Sequence, residues 1–264
     1  MSTLNYAVTD SATMLRRNLR HALRYPSMTV STLAGPVLIL LLFNYAFGGA
    51  LGAGIGEGSY IDYVAPGVIL MAATAGSTAT AVAVCSDMTE GIINRFRTMA
   101  ISRSSVLTGH VIGSMIQTLI SIAFVIAIAI AIGFRPTADA LQWAGAIGLL
   151  TLVTFALTWL SAAFGLVTKS VETASNAPLP LQFLPFLGSA IVPTESMPDG
   201  MRQFAENQPF TPIIETLRGL LFGTPIGSDG ILAVAWCLVI AGCAFIWSLR
   251  LYDRDPSRYL AARA

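Results

Sequence analysis

Charged residues are scarce in this 264-residue chain: they make up 11% of it, whereas a soluble domain carries about 25%. The mean hydropathy is positive and 55% of the residues are hydrophobic. Several runs as long as a membrane span contain no charged residue, which excludes a soluble globular domain. Long apolar runs also exclude a transmembrane β-barrel, whose strands read as short alternating segments. We therefore expect an all-α integral membrane protein.

Residues that carry chemistry are also few. The three cysteines and two histidines have no metal-ligand spacing, and the odd cysteine count indicates buried thiols rather than disulfides. The single lysine, Lys169, lacks the preceding glycines of a phosphate-binding loop. Neither a His-Glu-x-x-His nor a Gly-x-Ser-x-Gly sequence is present. We expect no catalytic, cofactor or metal site in this chain, and a net charge of +1 gives no reason to expect nucleic-acid binding.

The apolar runs predict one transmembrane domain, residues 1–264, with six spans. These are 28–47, 63–84, 106–133, 143–168, 177–192 and 231–249. Pro178, Pro180 and Pro185 should bend or break the fifth span. A longer loop, 193–230, precedes the last span, and a charged tail, 250–264, follows it.

The basic residues predict the orientation. If both termini are cytoplasmic, the inner segments hold twelve of the fifteen basic residues, namely Arg16, Arg17, Arg20, Arg24, Arg95, Arg97, Arg103, Lys169, Arg250, Arg254, Arg258 and Arg263. The outer loops then hold only Arg135, Arg202 and Arg218. The positive-inside rule therefore places both termini in the cytoplasm.

An amphipathic helix is predicted before the first span, within residues 1–27. From Ser11 to Tyr25 the apolar residues fall on one face and the arginines Arg16, Arg17, Arg20 and Arg24 on the other. Such a helix lies in the membrane interface, with its arginines at the lipid headgroups. The alternative is a positively charged flank without a defined helix.

A second amphipathic pattern lies between the second and third spans, in the cytoplasmic segment 85–105. Asp87 followed by Glu90 resembles a capping box. The apolar residues Ile92, Ile93, Phe96 and Met99 then fall on one face, and Arg95, Arg97 and Arg103 make the segment basic. This helix could dock in a groove of a soluble partner or lie on the membrane surface.

Few polar residues occur within the predicted spans, and two interpretations of them are open, substrate contact or helix packing. The candidates for a substrate path are Asn44, Gln117, Ser121, Thr154, Thr158 and Gln182. The alternative is ordinary hydrogen bonding between helices, worth about 0.6 kcal/mol each. Asp, Glu, Lys and Arg are absent from the centres of the five spans other than the proline-rich one, which disfavours an ion-coupled carrier. A membrane-embedded enzyme is disfavoured by the missing catalytic pattern.

Three motifs, in order along the chain, carry a resemblance to a known family. They are Asp87-Met88-Thr89-Glu90-Gly91 running on to Ser102-Arg103, then Met197-Pro198 with Asn207 to Pro212, and finally Arg218-Gly219-Leu220 with Gly223. Together with the amphipathic N-terminal helix they resemble the membrane subunits of type-two ABC exporters, in particular daunorubicin-resistance-like permeases of actinobacteria. Ala100 departs from the pattern, because the family commonly has proline there.

The resemblance implies a half-transporter in the plasma membrane, in contact with lipid. A second permease subunit, a copy or a homologue, would complete it, and a separate cytoplasmic ATP-binding cassette subunit would hold ATP and Mg. The docking residues implied are Asp87, Glu90, Gly91, Ile92, Ile93, Arg95, Phe96, Arg97 and Met99. The expected function is export of amphiphilic drug-like or lipid-like molecules. The alternative within transport is export of a glycan or lipid-linked polymer.

The loop before the last span contains a further amphipathic pattern. From Pro212 onward Ile213, Ile214, Leu217, Leu220 and Leu221 lie on one face, and Glu215 and Arg218 are spaced to pair across a turn. The resemblance implies a small re-entrant element at the exit, including Pro209, Pro212, Glu215 and Arg218. The alternative is a surface helix packed on the spans.

Overall fold

The computed structural model describes residues 26–52, 59–89 and 103–252, and in these ranges every regular element is helical. The α-helices are α1 (Pro26–Leu41), α2 (Gly48–Gly52), α3 (Tyr60–Thr89), α4 (Arg103–Ala131), α5 (Ala140–Val167), α6 (Val171–Asn176), α7 (Leu179–Phe183), α8 (Asp199–Asn207), α9 (Phe210–Phe222) and α10 (Asp229–Tyr252). A π-helical segment, Leu42–Phe47, joins α1 to α2. The all-α class is confirmed.

Five helical stretches in the described ranges are long and apolar enough to cross a membrane. They are Ala34–Gly52, Tyr60–Thr89, Leu107–Ala131, Ala140–Val167 and Asp229–Leu251. The membrane class expected from the scarcity of charge is therefore confirmed, while the count of six spans stays a prediction.

Helix α3 lies at the centre of the bundle. In its most apolar stretch 72% of the residues are buried, compared with 11% for the stretch that contains α1 and 22% for α10. It packs against α1, α4, α5 and α9. Thirty residues of α-helix measure about 45 Å, so α3 has two well-separated ends. We call them the Asp87 end, where α3 finishes, and the Arg218 end, where Tyr63 near the start of α3 meets Arg218 of α9.

Small residues allow α3 to approach its neighbours closely. A Cβ at Gly76 would lie 2.4 Å from Oγ1 of Thr118 on α4. A Cβ at Gly165 of α5 would lie 2.5 Å from the backbone oxygen of Ala81. Both distances are too short for a side chain. Gly76 and Gly165 therefore permit close helix packing within the chain.

The stretch 177–192, predicted as the fifth span, is divided into short pieces. Helix α7 occupies Leu179–Phe183, a 3-10 turn follows at Leu184–Leu187, and the backbone is irregular from Gly188 to Pro193. Pro180 and Pro185 stand within these pieces, where each removes a backbone donor that a continuous helix would use. The structure therefore breaks this stretch where the sequence has its prolines.

Capping side chains set two helix starts. At α5 the Asp139 carboxylate accepts from the backbone N–H of Gln142 at 2.7 Å, and the Gln142 side chain accepts from the Asp139 N–H at 2.8 Å. At α6 the Ser170 hydroxyl accepts from the N–H of Thr173. The polar segment 169–176 thus contains a short capped helix.

The capping box predicted at Asp87 is wrong. Helix α3 continues beyond the expected end of the second span and finishes at Thr89, so Asp87 lies in its last turn instead of starting a new helix. A carboxylate near a helix C-terminus interacts unfavourably with the helix dipole. It is accommodated here because its side chain has a partner on α4.

Candidate functional site

The predicted docking residues divide into two groups. Asp87 lies in α3 and is described, whereas Glu90, Gly91, Ile92, Ile93, Arg95, Phe96, Arg97 and Met99 lie outside the described residues. The interfacial arginines Arg16, Arg17, Arg20 and Arg24 also lie outside them. The structure therefore fixes the two helix ends that flank residues 90–102, and the docking role of that segment stays a prediction.

Asp87 and His110 meet at the Asp87 end. Nε2 of His110 and Oδ2 of Asp87 are 2.9 Å apart, and the two side chains are only 4% and 13% exposed respectively. A buried carboxylate requires a hydrogen-bonding partner, and the imidazole N–H supplies it whether the ring is neutral or charged. The contact joins the last turn of α3 to the early part of α4.

Other contacts at this end hold α3 to α5 and α5 to α10. The thiol of Cys85 points to the backbone oxygen of Thr168 at 3.7 Å. The Trp159 ring meets the Phe245 ring edge-on, with centroids 4.9 Å apart, and Ser248 donates to the Trp159 backbone oxygen at 3.5 Å. The helices α3, α5 and α10 therefore form one packed unit here.

Three residues predicted to line a substrate path are buried inside the chain's own packing. Thr154 and Thr158 of α5 are fully buried, and Ser121 of α4 is 3% exposed. The hydroxyl of Thr158 donates to the Thr154 backbone oxygen at 2.6 Å, a bond within one helix. These positions favour the packing alternative, because none of the three presents a surface to a passing molecule.

The other predicted path residues are half-buried. Asn44 lies in the π-helical segment, Gln117 lies on α4 and Gln182 lies on α7. The Gln182 amide donates to the hydroxyl of Thr78 on α3 at 2.8 Å. Because π-helical turns occur frequently at functional sites, Asn44 remains a candidate for substrate contact. The Gln182–Thr78 pair remains one because Gln182 is only half-buried.

Arg218 joins three parts of the chain at the opposite end. Its guanidinium donates to Glu215 on the same helix, to the backbone oxygen of Tyr63 at 3.2 Å and to that of Ser189 at 2.9 Å. It also lies over the Tyr63 ring, 3.9 Å from the centroid. The Glu215–Arg218 pair expected from the spacing is present. The side chain of Arg218 is 15% exposed, so these contacts are sheltered from water.

The irregular stretch after α7 obtains its hydrogen bonds from side chains elsewhere. The Gln208 amide donates to the backbone oxygen of Leu184 at 3.0 Å, and the Tyr60 hydroxyl donates to that of Ile191 at 3.2 Å. Arg218 serves Ser189 in the same way. Backbone that is not helical needs hydrogen-bonding partners wherever it is shielded from water, and these donors supply them to three of its oxygens.

The sequence that forms these charge-poor helices matches a known protein family. The model of the ABC-2 type transporter family matches residues 10–222. The chain belongs to the ABC-2 type transporter family. The resemblance noted from the motifs is therefore confirmed, and it extends over most of the chain.

Curated transporter proteins share moderate sequence identity with this chain. The daunorubicin resistance ABC transporter permease protein DrrB1 of Streptomyces coeruleorubidus is 27% identical over 219 residues, which cover 83% of this chain and 77% of the relative. The probable doxorubicin resistance ABC transporter permease protein DrrC of Mycobacterium tuberculosis is 24% identical over 213 residues, covering 78% and 76%. The ABC transporter G family member 20 of Dictyostelium discoideum is 25% identical over 168 residues, 61% of this chain and 22% of that protein. The chain is thus an ABC-2 permease homologous to drug-resistance membrane subunits.

The candidate re-entrant element of this ABC-2 permease is helix α9. It begins after Pro209 and ends at Phe222. The next residue, Gly223, has a φ of +68°, the left-handed conformation that glycine favours after a helix. It packs against α3, α5 and α10 at the Arg218 end, and the backbone oxygen of Leu221 accepts from the N–H of Thr137 at 3.0 Å. With 13 residues it measures about 20 Å, too short to cross a membrane. Whether it re-enters from outside stays a prediction.

An exposed ion pair lies beside this element on α8. Arg202 donates to Glu206 at 2.7 Å, with both side chains nearly half exposed. The Glu206 carboxylate raises the pKa of Arg202 further above its usual value, so the Arg202 guanidinium is charged at any physiological pH. No group of His, Cys, Asp and Glu in the described part of the chain could hold a metal ion.

The contact between His110 and Asp87 was not predicted from the sequence. A usable signal existed, because a titratable ring inside an apolar run has to find a polar partner. Asp87 stands where the charge-free run of the second span ends. No comparable signal exists for the acceptors of Arg218. They are the backbone oxygens of Tyr63 and Ser189, and every residue has a backbone oxygen, so nothing in the sequence distinguishes these two.

Proposed function

We propose that this ABC-2 permease is the membrane subunit of an ATP-driven exporter that moves amphiphilic drug-like or lipid-like molecules out of the cell. The observation that carries the proposal is the family match over residues 10–222, together with relatives named for daunorubicin and doxorubicin resistance. The absence of Asp, Glu, Lys and Arg from the span centres supports an ATP-driven mechanism, because an ion-coupled carrier usually has an ionisable group there.

The energy would come from a separate ATP-binding subunit in the cytoplasm. Residues 90–102 connect the ends of α3 and α4 at the Asp87 end, so a partner bound to this segment would act on both helices. The predicted contacts are the apolar face with Ile92 and Phe96 and the charges of Glu90 and Arg95. The abundance of arginine in these inner segments supports a cytoplasmic Asp87 end.

A second permease subunit, or lipid, would cover the apolar outer faces of the bundle. Tyr45 beside α1 and Ile231 of α10 are 70% and 78% exposed. Side chains of this kind lie against hydrocarbon or against another helix in a membrane protein. The half-transporter would therefore pair with a copy or a homologue in the plasma membrane.

The test is transport by the purified complex. The chain is co-expressed with an ATP-binding cassette subunit, sought first in the reading frames adjacent to its own, and the complex is reconstituted into liposomes. Uptake of a fluorescent anthracycline by vesicles whose ATP-binding subunits face outward should require ATP. A partner subunit with its catalytic glutamate replaced by glutamine is the control. Transport driven by a proton or sodium gradient without ATP would overturn the proposal.

The docking segment has its own test. Glu90→Arg combined with Phe96→Asp should abolish co-purification of the ATP-binding subunit, because it reverses a charge and places a carboxylate on the apolar face. Arg202→Ala, at an exposed ion pair in the predicted outer loop 193–230, is the matched control. Retention of the complex and its ATPase activity in the double variant would contradict the docking role.

A further inference from the structure

The Asp87–His110 pair occupies a particular place in the chain. Asp87 lies two residues before α3 ends and His110 lies in the second turn of α4, so the pair spans the base of the segment 90–102. The Nε2–Oδ2 distance of 2.9 Å and the burial of both side chains show a formed contact. Any displacement of that segment therefore reaches the bundle at two helix ends that are joined to each other.

Stability alone does not account for a polar pair at this position. Removing two polar groups from water costs free energy that their contact only partly restores, and apolar residues of similar size often stabilise such a site equally well. The neighbouring residues Val84, Leu107 and Val111 are already buried and apolar. A directional contact, unlike an apolar one, fixes the distance and orientation of the two helices it joins.

The pair also connects α4 to the rest of the bundle. At this end α3 is fixed to α5 through Cys85 and Thr168, and by the close approach of Gly165 to Ala81. Helix α5 is in turn fixed to α10 through Trp159 and its partners. The start of α4 reaches this unit through His110 and the apolar side chains beside it.

We propose that Asp87 and His110 are positioning residues that keep the ends of α3 and α4 at a fixed separation, so that a movement of residues 90–102 turns both helices together. The inference rests on the proposed function, because it assigns a mechanical role to a segment moved by the ATP-binding subunit. Asp87 is accordingly a helix-to-helix contact, in contrast to the partner-docking role first predicted for it. Loosening the pair lets the segment move while the bundle follows incompletely.

The quantity that tests this is the number of drug molecules transported per ATP hydrolysed, measured in one proteoliposome preparation. His110→Ala should lower this ratio by roughly fivefold or more, within the range usual for coupling between sites. Basal ATPase activity, the KM for ATP and the amount of ATP-binding subunit that co-purifies should stay near wild-type values. Asp87→Asn, which keeps a hydrogen-bonding side chain, should show a smaller loss.

Rescue separates positioning from folding. The exchange variant Asp87→His/His110→Asp rebuilds the pair in the reverse direction, and we expect it to recover most of the lost ratio. Arg202→Ala, which removes a charge from the exposed pair on α8, should leave the ratio unchanged.

The outcomes are distinct. A wild-type complex that does not transport drug with ATP overturns the proposed function. If the wild type transports and His110→Ala keeps the wild-type ratio, the inference is wrong. It is also wrong if His110→Ala reduces only expression or complex formation, or if the exchange variant folds and binds its partner without recovering the ratio.

Discussion

The two ends of α3 are held in different ways. At the Arg218 end one guanidinium contacts Glu215, Tyr63 and Ser189, and the adjoining backbone is irregular and satisfied by side chains. At the Asp87 end regular helices meet through apolar packing, the Asp87–His110 pair and the contacts of Cys85 and Ser248 with backbone oxygens. The contacts at the Arg218 end therefore converge on one side chain, whereas those at the Asp87 end are distributed over several side chains. This difference fits a rigid Arg218 end, which we call the cap, and an Asp87 end that a bound partner subunit can move.

The largest effect is expected at the Arg218 end. Arg218→Ala leaves the backbone oxygens of Tyr63 and Ser189 without their donor and removes the pair with Glu215. Hydrogen bonds to charged groups contribute roughly 1.5–3 kcal/mol each, so a loss of about 3 kcal/mol in the free energy of unfolding is expected. The measurement is the thermal unfolding midpoint of the purified chain in detergent. Arg218→Lys should be intermediate, and a wild-type midpoint for Arg218→Ala would show that the cap does not depend on this side chain.

The next effect tests whether the helices at the Asp87 end form a rigid unit. Gly165→Ala places a Cβ 2.5 Å from the Ala81 backbone oxygen, which cannot move without shifting α3. Overpacking of this kind costs about 1–3 kcal/mol, seen as a lower unfolding midpoint. Gly148→Ala in the same helix is the matched control, because nothing lies within 4 Å of its Cβ. The control should be neutral or slightly stabilising. Equal effects of the two variants would mean that α3 and α5 are loosely packed there.

A smaller effect distinguishes substrate contact from helix packing between the two ends. Gln182→Leu removes the hydrogen bond to Thr78 and should cost about 0.6 kcal/mol of stability. In a double-mutant cycle with Thr78→Val, the free-energy changes of the two single variants should add up except for a coupling of about 0.6 kcal/mol. If the pair contacts the transported drug, the KM for drug in the reconstituted complex will change although stability hardly does. An unchanged KM would assign the pair to packing.

The smallest effect is expected for the exposed pair on α8. Arg202→Ala should leave both the unfolding midpoint and transport unchanged, because both side chains of the pair face solvent. A marked loss of transport with normal stability would indicate instead that α8 takes part in drug release, and the Arg218 end would then no longer be a passive cap.

Patterns that depend on composition and periodicity could be predicted. The absence of charge from long runs specified helices α3, α4, α5 and α10 to within a few residues, since burial in lipid is decided by the sequence locally. The pair Glu215–Arg218 followed from helical spacing. The motifs from Asp87 to Arg103 and from Asn207 to Pro212 were sufficient to indicate the family.

Contacts between distant parts of the chain could not be predicted in the same way. The capping box at Asp87 failed because a local pattern says nothing of His110, 23 residues later, whose contact lets α3 continue. Thr154 and Thr158 were candidates for a substrate path, but both are buried in helix packing. Which face of a helix is buried depends on the neighbouring helices, and a local sequence pattern does not identify them. The donors Tyr60 and Gln208 act on backbone oxygens, which leave no trace in the sequence.

The stretch from Leu184 to Ile191, a 3-10 turn followed by irregular backbone, has a consequence for mutational tolerance. Three of its backbone oxygens accept hydrogen bonds from Tyr60, Gln208 and Arg218, which belong to other parts of the chain. Side chains of similar size within the stretch should therefore be exchangeable, while the three donors should resist replacement. In a library of variants scored for export, the positions most sensitive to substitution should include these donors, of which Tyr60 is 131 positions away from its acceptor Ile191 along the chain.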